Sequence, residues 1–212
     1  MAIISIALGE DCRSTIFGVR KKMRPSKKDG YKSCPFDLMV ADVKGVTKCF
    51  NDNFNLFTER SFLIRRPFED QEHYLISNHE YGFYFNHESF TPEADLNKNI
   101  WTEGSDHFIK NGFQNFAKRY EQRIKNLDFY CDSGFFKVNF IFVSKHCERN
   151  SWADPSTYND GYPKEVMRDL CESIKNRYPK LVFNLVILPS EWHEHKSFLP
   201  EKTKTYPSDY FK

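Results

Sequence analysis

A cysteine follows the first apolar run of the chain and stands at the start of a helical pattern. The run covers residues 2–8, and Gly9, Glu10 and Asp11 separate it from Cys12. The positive backbone potential at a helix N-terminus favours the thiolate and lowers the thiol pKa, so Cys12 is a candidate nucleophile. Glu10 and Asp11 oppose the thiolate. The alternative is that Cys12 is a small apolar residue packed in the first helical turn.

Two further residues have the chemistry that a cysteine nucleophile requires. His87 is the candidate base, because imidazole accepts and returns a proton near neutral pH; the alternative is a loop histidine at a strand end. Adjacent residues of a strand point to opposite faces, so we do not expect Glu88 to orient His87. Asp37, in Ser33-Cys34-Pro35-Phe36-Asp37, either orients the base or caps the next helix, which is the commoner role of such an aspartate.

Composition excludes several classes of function. The 212 residues suit a single domain, and the 21 Phe and 11 Tyr predict an aromatic core. With 31 Lys and Arg against 29 Asp and Glu, charge gives no case for nucleic acid or membrane binding. No apolar stretch approaches the roughly 20 residues of a membrane span, and the N-terminal run lacks the features of a signal peptide. We therefore expect a cytoplasmic protein, in the host cytoplasm if it is viral, and the Asn, Lys and Phe content fits a large DNA virus.

Neither a cofactor nor a metal ion is expected. The six cysteines form no CxxC pair, which argues against structural zinc, and a reducing compartment argues against disulfides. Phosphate-loop and dinucleotide-binding motifs are absent. His193 and His195, with Glu191 and Glu194, resemble a metal cluster only superficially, because no partner ligands are evident.

Hydrophobic periodicity predicts an α/β fold, with a mainly parallel sheet flanked by helices and a small β-hairpin insertion. The predicted buried strands are 3–8, 138–143 and 181–188, a pair of shorter strands is 73–77 and 82–86, and the helices are 13–22, 38–50, 108–130 and 164–177. All of this forms one domain, 1–212, in which 60–104 is a hairpin and loop insertion and 190–212 a packed tail. Ligands of such sheets bind at the carboxyl ends of strands, where Cys12 follows the first strand.

The order of these pieces resembles a family of unknown function described as papain-like cysteine peptidases, with members in bacteria and large DNA viruses. The resemblance covers residues 3–145 and continues thinly to 188. It rests on Ser5-Ile6-Ala7-Leu8-Gly9 with Cys12, Ser33-Cys34-Pro35-Phe36-Asp37, Asp52-Asn53-Phe54, His87-Glu88-Ser89-Phe90, Lys118-Arg119 with Arg123-Ile124, and Phe140-Ile141-Phe142-Val143.

The resemblance implies that Cys12 is the nucleophile, His87 the base and Asp37 the remaining acid. The chain departs from the family pattern in three places. The His-Asp of the family is His87-Glu88 here, with Ser89 inserted before Phe90; Leu38 replaces the aromatic residue that usually follows Pro-Phe-Asp; and Ser144-Lys145 replaces the basic end of the Phe-Val strand. The parallel strand pattern also differs from the papain architecture.

The leading hypothesis is a cysteine-dependent hydrolase or acyl transferase that acts on a peptide, amide or glycan-linked substrate. Glu88, Arg119 and Arg123 are the candidate substrate-binding residues. One alternative is a transferase for a glycan or nucleotide-sugar, which would use Asp37, His87 and Arg119 or Arg123 instead of Cys12. Another is a noncatalytic viral binding module with Cys12 in a packing role. The sequence leaves the oligomeric state open.

Overall fold

Helices and strands are both distributed along the chain, with two helices after the first strand and three strands before the third helix. The computed structural model describes residues 1–9, 12–91, 101–143, 163–188 and 204–210. In chain order its elements are β1 (Ala2–Ala7), α1 (Arg13–Arg20), α2 (Val43–Asn51), β2 (Leu63–Pro67), β3 (Tyr74–Asn78), β4 (Phe83–Tyr84), α3 (Lys110–Asp132), β5 (Phe136–Val143), α4 (Lys164–Arg177), β6 (Phe183–Leu188) and β7 (Lys204–Pro207).

The three predicted buried strands are neighbours in one sheet, as expected. Its order is β1-β5-β6-β7, and β1, β5 and β6 run parallel. Strand β7 adds an antiparallel edge, with Tyr206 opposite Leu185. The predicted α/β fold with a mainly parallel sheet is therefore confirmed, and β7 is an edge strand that sequence reasoning missed inside the predicted tail.

Both faces of this sheet bury apolar side chains, which explains why the strands are continuous hydrophobic runs. Alternate residues, including Ile6 of β1 and Phe140 of β5, belong to the main core, which α2, α3 and α4 also enter. Residues of the opposite parity, including Ile141 and Val186, form a smaller cluster with Phe17 of α1. Helix α1 therefore lies on one face of the sheet and the main core on the other.

A second, antiparallel sheet has the order β2-β3-β4. Strands β3 and β4 correspond to the predicted hairpin, whereas β2 was not predicted. The residues of β2 after Leu63 are exposed, so this strand has no alternation of buried and exposed positions to identify it. The main core continues into this sheet, because the buried ring of Phe36 contacts both Phe50 of α2 and Phe83 of β4.

Helix α2 begins five residues later than the sequence predicted. Leu38 has a φ of 63°, in the left-handed region, and Val40 pairs with Tyr84 at the edge of the second sheet. The N-cap of α2 is Asp42, whose carboxylate accepts a hydrogen bond of 2.9 Å from the backbone N–H of Gly45. The expectation that Asp37 caps this helix is therefore wrong.

Helix α3 differs from the prediction mainly at its start. The predicted range was 108–130, and the observed helix has left-handed backbone angles at Asn111, Gly112 and Phe113, so its regular part follows this kink. Within the described ranges, no helix is long and apolar enough to cross a membrane. Of the predicted tail, only residues 204–210 are described, so Glu191, His193, Glu194 and His195 lie outside the described residues.

Candidate functional site

Cys12 differs from the other described cysteines in its exposure. It stands immediately before α1, beyond the carboxyl end of β1, and it is half-buried. Burial raises the pKa of the other four thiols, that of Cys171 to about 12. These four are Cys34, Cys49, Cys131 and Cys171. Cys12 is therefore the described thiol that solvent can reach, whereas Cys147 lies outside the described residues.

The turn before Cys12 is fixed by a close contact between two segments. Gly9 has a φ of 104°, and a Cβ atom at this position would lie 2.7 Å from Cβ of Ala41. The side chain of Ser14 in α1 donates a hydrogen bond of 3.2 Å to the carbonyl oxygen of Gly9. A residue without a side chain is required here, and this requirement fixes the path of the chain from β1 into α1.

Asp37 is buried, and its carboxylate joins three segments of the chain. Oδ1 accepts hydrogen bonds from Nη1 of Arg24 at 2.8 Å and from Oγ1 of Thr15 in α1 at 3.3 Å. Oδ2 accepts one from the backbone N–H of Cys34 at 3.0 Å. Burial disfavours the Arg24 cation, but the charge and hydrogen bond of Asp37 outweigh it, so the pKa of Arg24 is raised. The guanidinium also lies over the ring of Tyr31, 4.1 Å from its centroid. Asp37 thus anchors the first turn of α1, three residues after Cys12, to the loop that follows α1.

Glu88 is fully buried and lies against α3. Tyr120 donates a hydrogen bond of 2.8 Å to its Oε2 atom. Its Oε1 atom lies 3.1 Å from both Nε of Arg119 and Nη2 of Arg123, but the angles make these contacts ion pairs rather than hydrogen bonds. Burial and the nearby carboxylate raise the pKa of Tyr120 well above its ordinary value. Glu88 therefore fixes the turn after β4 onto α3.

His87 lies in the same turn and is exposed, whereas Glu88 is buried. The two side chains therefore differ in direction, as the sequence suggested. Partial desolvation and the charges of Arg123, Arg119 and Lys27 lower the pKa of His87, and Glu88 acts in the opposite sense. The imidazole is consequently neutral at pH 7, which is the form that accepts a proton.

Lys27 connects the surroundings of the two buried carboxylates. Desolvation and the charges of Arg123 and Arg119 lower its pKa, while Asp37 and Glu88 raise it. The candidates Asp37, His87, Glu88, Arg119 and Arg123 thus share one electrostatic neighbourhood. Sequence reasoning did not name Arg24, Lys27 or Tyr120 as site residues. Thr15, three residues after Cys12, links α1 to Asp37. The approach of Cys12 to His87 stays a prediction.

The spacing of residues in α3 gave one sign in the sequence that Arg123 is a buried cation. In α3, Phe116, Tyr120 and Leu127 are buried at helical spacing, and Arg123 is buried in the same stripe. A cation in an apolar stripe requires an acid beside it, and Glu88 is that acid. The distance of 35 residues between them explains why the sequence did not identify the pair.

A separate groove of about 310 Å³ lies between α2 and α4. Its lining residues are Lys44, Thr47, Lys48, Asn51, Val166 and Asp169. It contains none of the candidate residues, and Lys48 pairs with Glu80 at its rim. Within the described ranges, no group of three or more His, Cys, Asp or Glu side chains could hold a metal ion.

The candidate residues are thus an accessible thiol at the start of α1 and, among the residues linked by their charges, a histidine and two buried carboxylates held by arginines. They come from the position before α1, the loop after α1, the turn after β4, and α3. No family model, curated protein or solved structure matches this chain, so the interpretation of the site rests on its own geometry.

Proposed function

We propose that the protein is a cysteine-dependent hydrolase or acyl transferase with Cys12 as nucleophile and His87 as base. The observation that carries the proposal is the contrast among the described thiols, since Cys12 is accessible and four others are buried. Its position before α1, beyond a strand carboxyl end, is where α/β sheets bind ligands and where a helix favours the thiolate. The exposed, neutral imidazole of His87 supports the role of base.

In this mechanism, Sγ of Cys12 attacks the carbonyl carbon of the substrate while the imidazole of His87 takes the thiol proton. Backbone N–H groups in the first turn of α1 stabilise the oxyanion. The leaving group departs with the proton from His87 and leaves a thioester on Cys12. Water, or the acceptor group of an acyl transfer, then attacks the thioester and regenerates the thiol. Asp37 acts as a positioning residue through Thr15 and α1.

Thiol labelling of the folded protein tests the proposal. At pH 7, iodoacetamide should alkylate Cys12 before Cys34, Cys49, Cys131 and Cys171, as measured by peptide mass spectrometry. His87→Gln should slow the alkylation of Cys12, because the thiol then loses its proton acceptor. His79→Gln is the matched control, since His79 is an exposed histidine of another turn. Equal labelling rates in wild type and His87→Gln would contradict the role of His87.

A transferase for a nucleotide-sugar is the second candidate function. The cations Lys27, Arg119 and Arg123 near His87 favour it, because a diphosphate needs positive charge around it. Under this alternative, Cys12→Ser retains activity, whereas Arg119→Ala loses it. Thermal-shift measurements with a uridine diphosphate sugar, run beside the labelling experiment, discriminate between the two functions.

A further inference from the structure

The described charges around His87 do not balance. Three cationic side chains, Lys27, Arg119 and Arg123, act on this histidine together with one carboxylate, Glu88. The second carboxylate of the neighbourhood, Asp37, is already paired with Arg24 at 2.8 Å. The pair of Asp37 and Arg24 is neutral, so among the described residues the cations that act on His87 outnumber the carboxylates that can offset them.

The hydrogen-bonding capacity of the arginines is also incompletely used. Arg123 is 4% exposed, and its buried Nη1 atom has no hydrogen-bond partner within the described part of the chain. Its Nη2 atom and Nε of Arg119 both approach the same oxygen of Glu88 without hydrogen-bond geometry. Buried donors without acceptors are rare in proteins, so the Nη1 atom of Arg123 needs an acceptor from outside the described residues, which a water or a ligand supplies.

Three of the side chains around Glu88 and Arg123 are exposed to solvent. The side chain of Arg119 is 40% exposed, and it uses Nε for Glu88 and packs over the ring of Phe108. Lys27 and His87 are exposed as well. A ligand can therefore reach these three side chains, while Arg123, which shares Glu88 with Arg119, is buried and adds its charge.

We propose that Lys27, His87 and Arg119, together with the charge of the buried Arg123, form a subsite for an anionic group of the ligand, a carboxylate or a phosphate. The inference rests on the proposed function only in assigning this anion to the substrate of Cys12. Such a group neutralises the excess charge and supplies acceptors for Arg119 and Lys27. The subsite thereby selects substrates that carry an anion close to the reactive carbonyl.

Binding of inorganic phosphate and of acetate at low ionic strength tests the subsite. Calorimetry should show saturable binding of at least one of these probes to the wild type, and the binding should weaken with added sodium chloride. Lys27→Ala and Arg119→Ala should each weaken it by about tenfold, the effect of one charge-assisted hydrogen bond. The preferred probe distinguishes a phosphate subsite from a carboxylate subsite.

Two neighbours provide matched controls with the same change of charge. Lys28→Ala alters the residue beside Lys27, and Lys118→Ala alters the residue beside Arg119; both side chains are exposed. These controls should bind the probes as tightly as the wild type. Because Arg119→Ala also removes an ion pair of Glu88, Lys27→Ala, which changes no described ion pair, keeps the test independent of folding. Loss of binding in the controls to the same extent would overturn the proposal, as would the absence of binding of both probes.

Binding to Cys12→Ser separates this inference from the proposed function. The subsite does not use the thiol, so this variant should bind the preferred probe with wild-type affinity. An unreactive Cys12 in a protein that binds the anion contradicts the hydrolase and leaves the subsite intact. A reactive Cys12 in a protein that binds neither probe overturns the subsite alone. As a local readout, the bound anion should raise the pKa of His87 in NMR titration, because it offsets the charges of Arg119, Arg123 and Lys27.

Discussion

Asp37, a candidate catalytic residue in the sequence, has a structural role in the fold. Its carboxylate is buried and accepts hydrogen bonds from Arg24, Thr15 and the backbone of Cys34. The Arg24 guanidinium is buried with it, so each charge depends on the other. The residue that a motif suggests for catalysis therefore holds the loop and the first turn of α1 in place.

Asp37→Asn should destabilise the protein by about 3 kcal/mol or more, because it leaves the Arg24 cation buried without a counter-ion. Urea unfolding followed by circular dichroism measures the free energy of unfolding. Asp29→Asn, an exposed acid of the same loop, should change it by less than about 0.5 kcal/mol. The double variant Arg24→Gln with Asp37→Asn should lose less stability than the sum of the single variants. Strict additivity would show that the pair is not coupled.

The ionisation of His87 gives a prediction that does not depend on catalysis. Desolvation and the neighbouring cations lower its pKa below the usual 6.5, so the unfolded chain binds a proton at His87 more readily than the folded one. The fold therefore loses stability relative to the unfolded chain as pH falls below about 6.5. His87→Gln should remove this loss, and the difference in Tm between variant and wild type should grow towards acid pH. A pKa at or above 6.5 in NMR titration would show that Glu88 dominates the site.

Residue types alone gave the candidates but not their partners. Cys12, Asp37, His87 and Glu88 could be named because thiols, imidazoles and carboxylates in short motifs are recognisable in a sequence. That Asp37 pairs with Arg24, and Glu88 with Arg119 and Arg123, follows only from packing between distant segments. Burial decides whether a carboxylate faces substrate or arginine, and burial is a property of the folded chain.

Among the helices and strands, strong hydrophobic periodicity was sufficient to predict an element from the sequence, and weak periodicity was not. The buried strands β1, β5 and β6 and the helix α4 were predicted within two residues, because each buries a continuous run or stripe. Strand β2 lacks such a run, and it is exposed along most of its length. The predicted start of α2 was wrong because Leu38 adopts a left-handed φ, which the sequence does not favour.

Two helical glycines provide a test of how elements pack. A Cβ atom on Gly45 in α2 would lie 2.1 Å from the carbonyl oxygen of Tyr81, whereas one on Gly18 in α1 would lie 3.4 Å from Cδ1 of Ile141. Alanine favours a helix over glycine by about 1 kcal/mol at either position. We expect Gly45→Ala to be destabilising by about 2 kcal/mol or more, because α2 must move away from the second sheet.

Gly18→Ala is the matched control, and it should change stability by no more than about 1 kcal/mol, because its methyl group meets the flexible end of a side chain. Thermal unfolding of the two variants in parallel measures the difference. Equal effects would mean that α2 and the turn at Tyr81 do not approach each other as closely as the structure indicates.

The whole molecule depends on an aromatic core that both sheets share. The ring of Phe36 lies 5.9 Å from that of Phe83 in β4 and 6.0 Å from that of Phe50 in α2. The ring of Phe50 in turn lies 6.4 Å from that of Phe140 in β5. The composition predicted an aromatic core, but only the fold shows that these rings join the hairpin sheet to the parallel sheet. The expectation of a single domain can therefore be tested at this junction.

Phe36→Ala should reduce the stability of both sheets together, by about 3–5 kcal/mol for a fully buried phenylalanine. Hydrogen exchange read by mass spectrometry gives the local free energy of opening for β3 and β5 separately. If the shared core makes one cooperative unit, protection falls by the same amount in both strands. Phe135→Ala is the control, because Phe135 is 71% exposed and its loss should change protection by less than about 0.5 kcal/mol.

If protection falls in β3 but stays unchanged in β5, the hairpin sheet unfolds on its own. The site would then span two units, because His87 and Glu88 follow the hairpin while Cys12 follows β1.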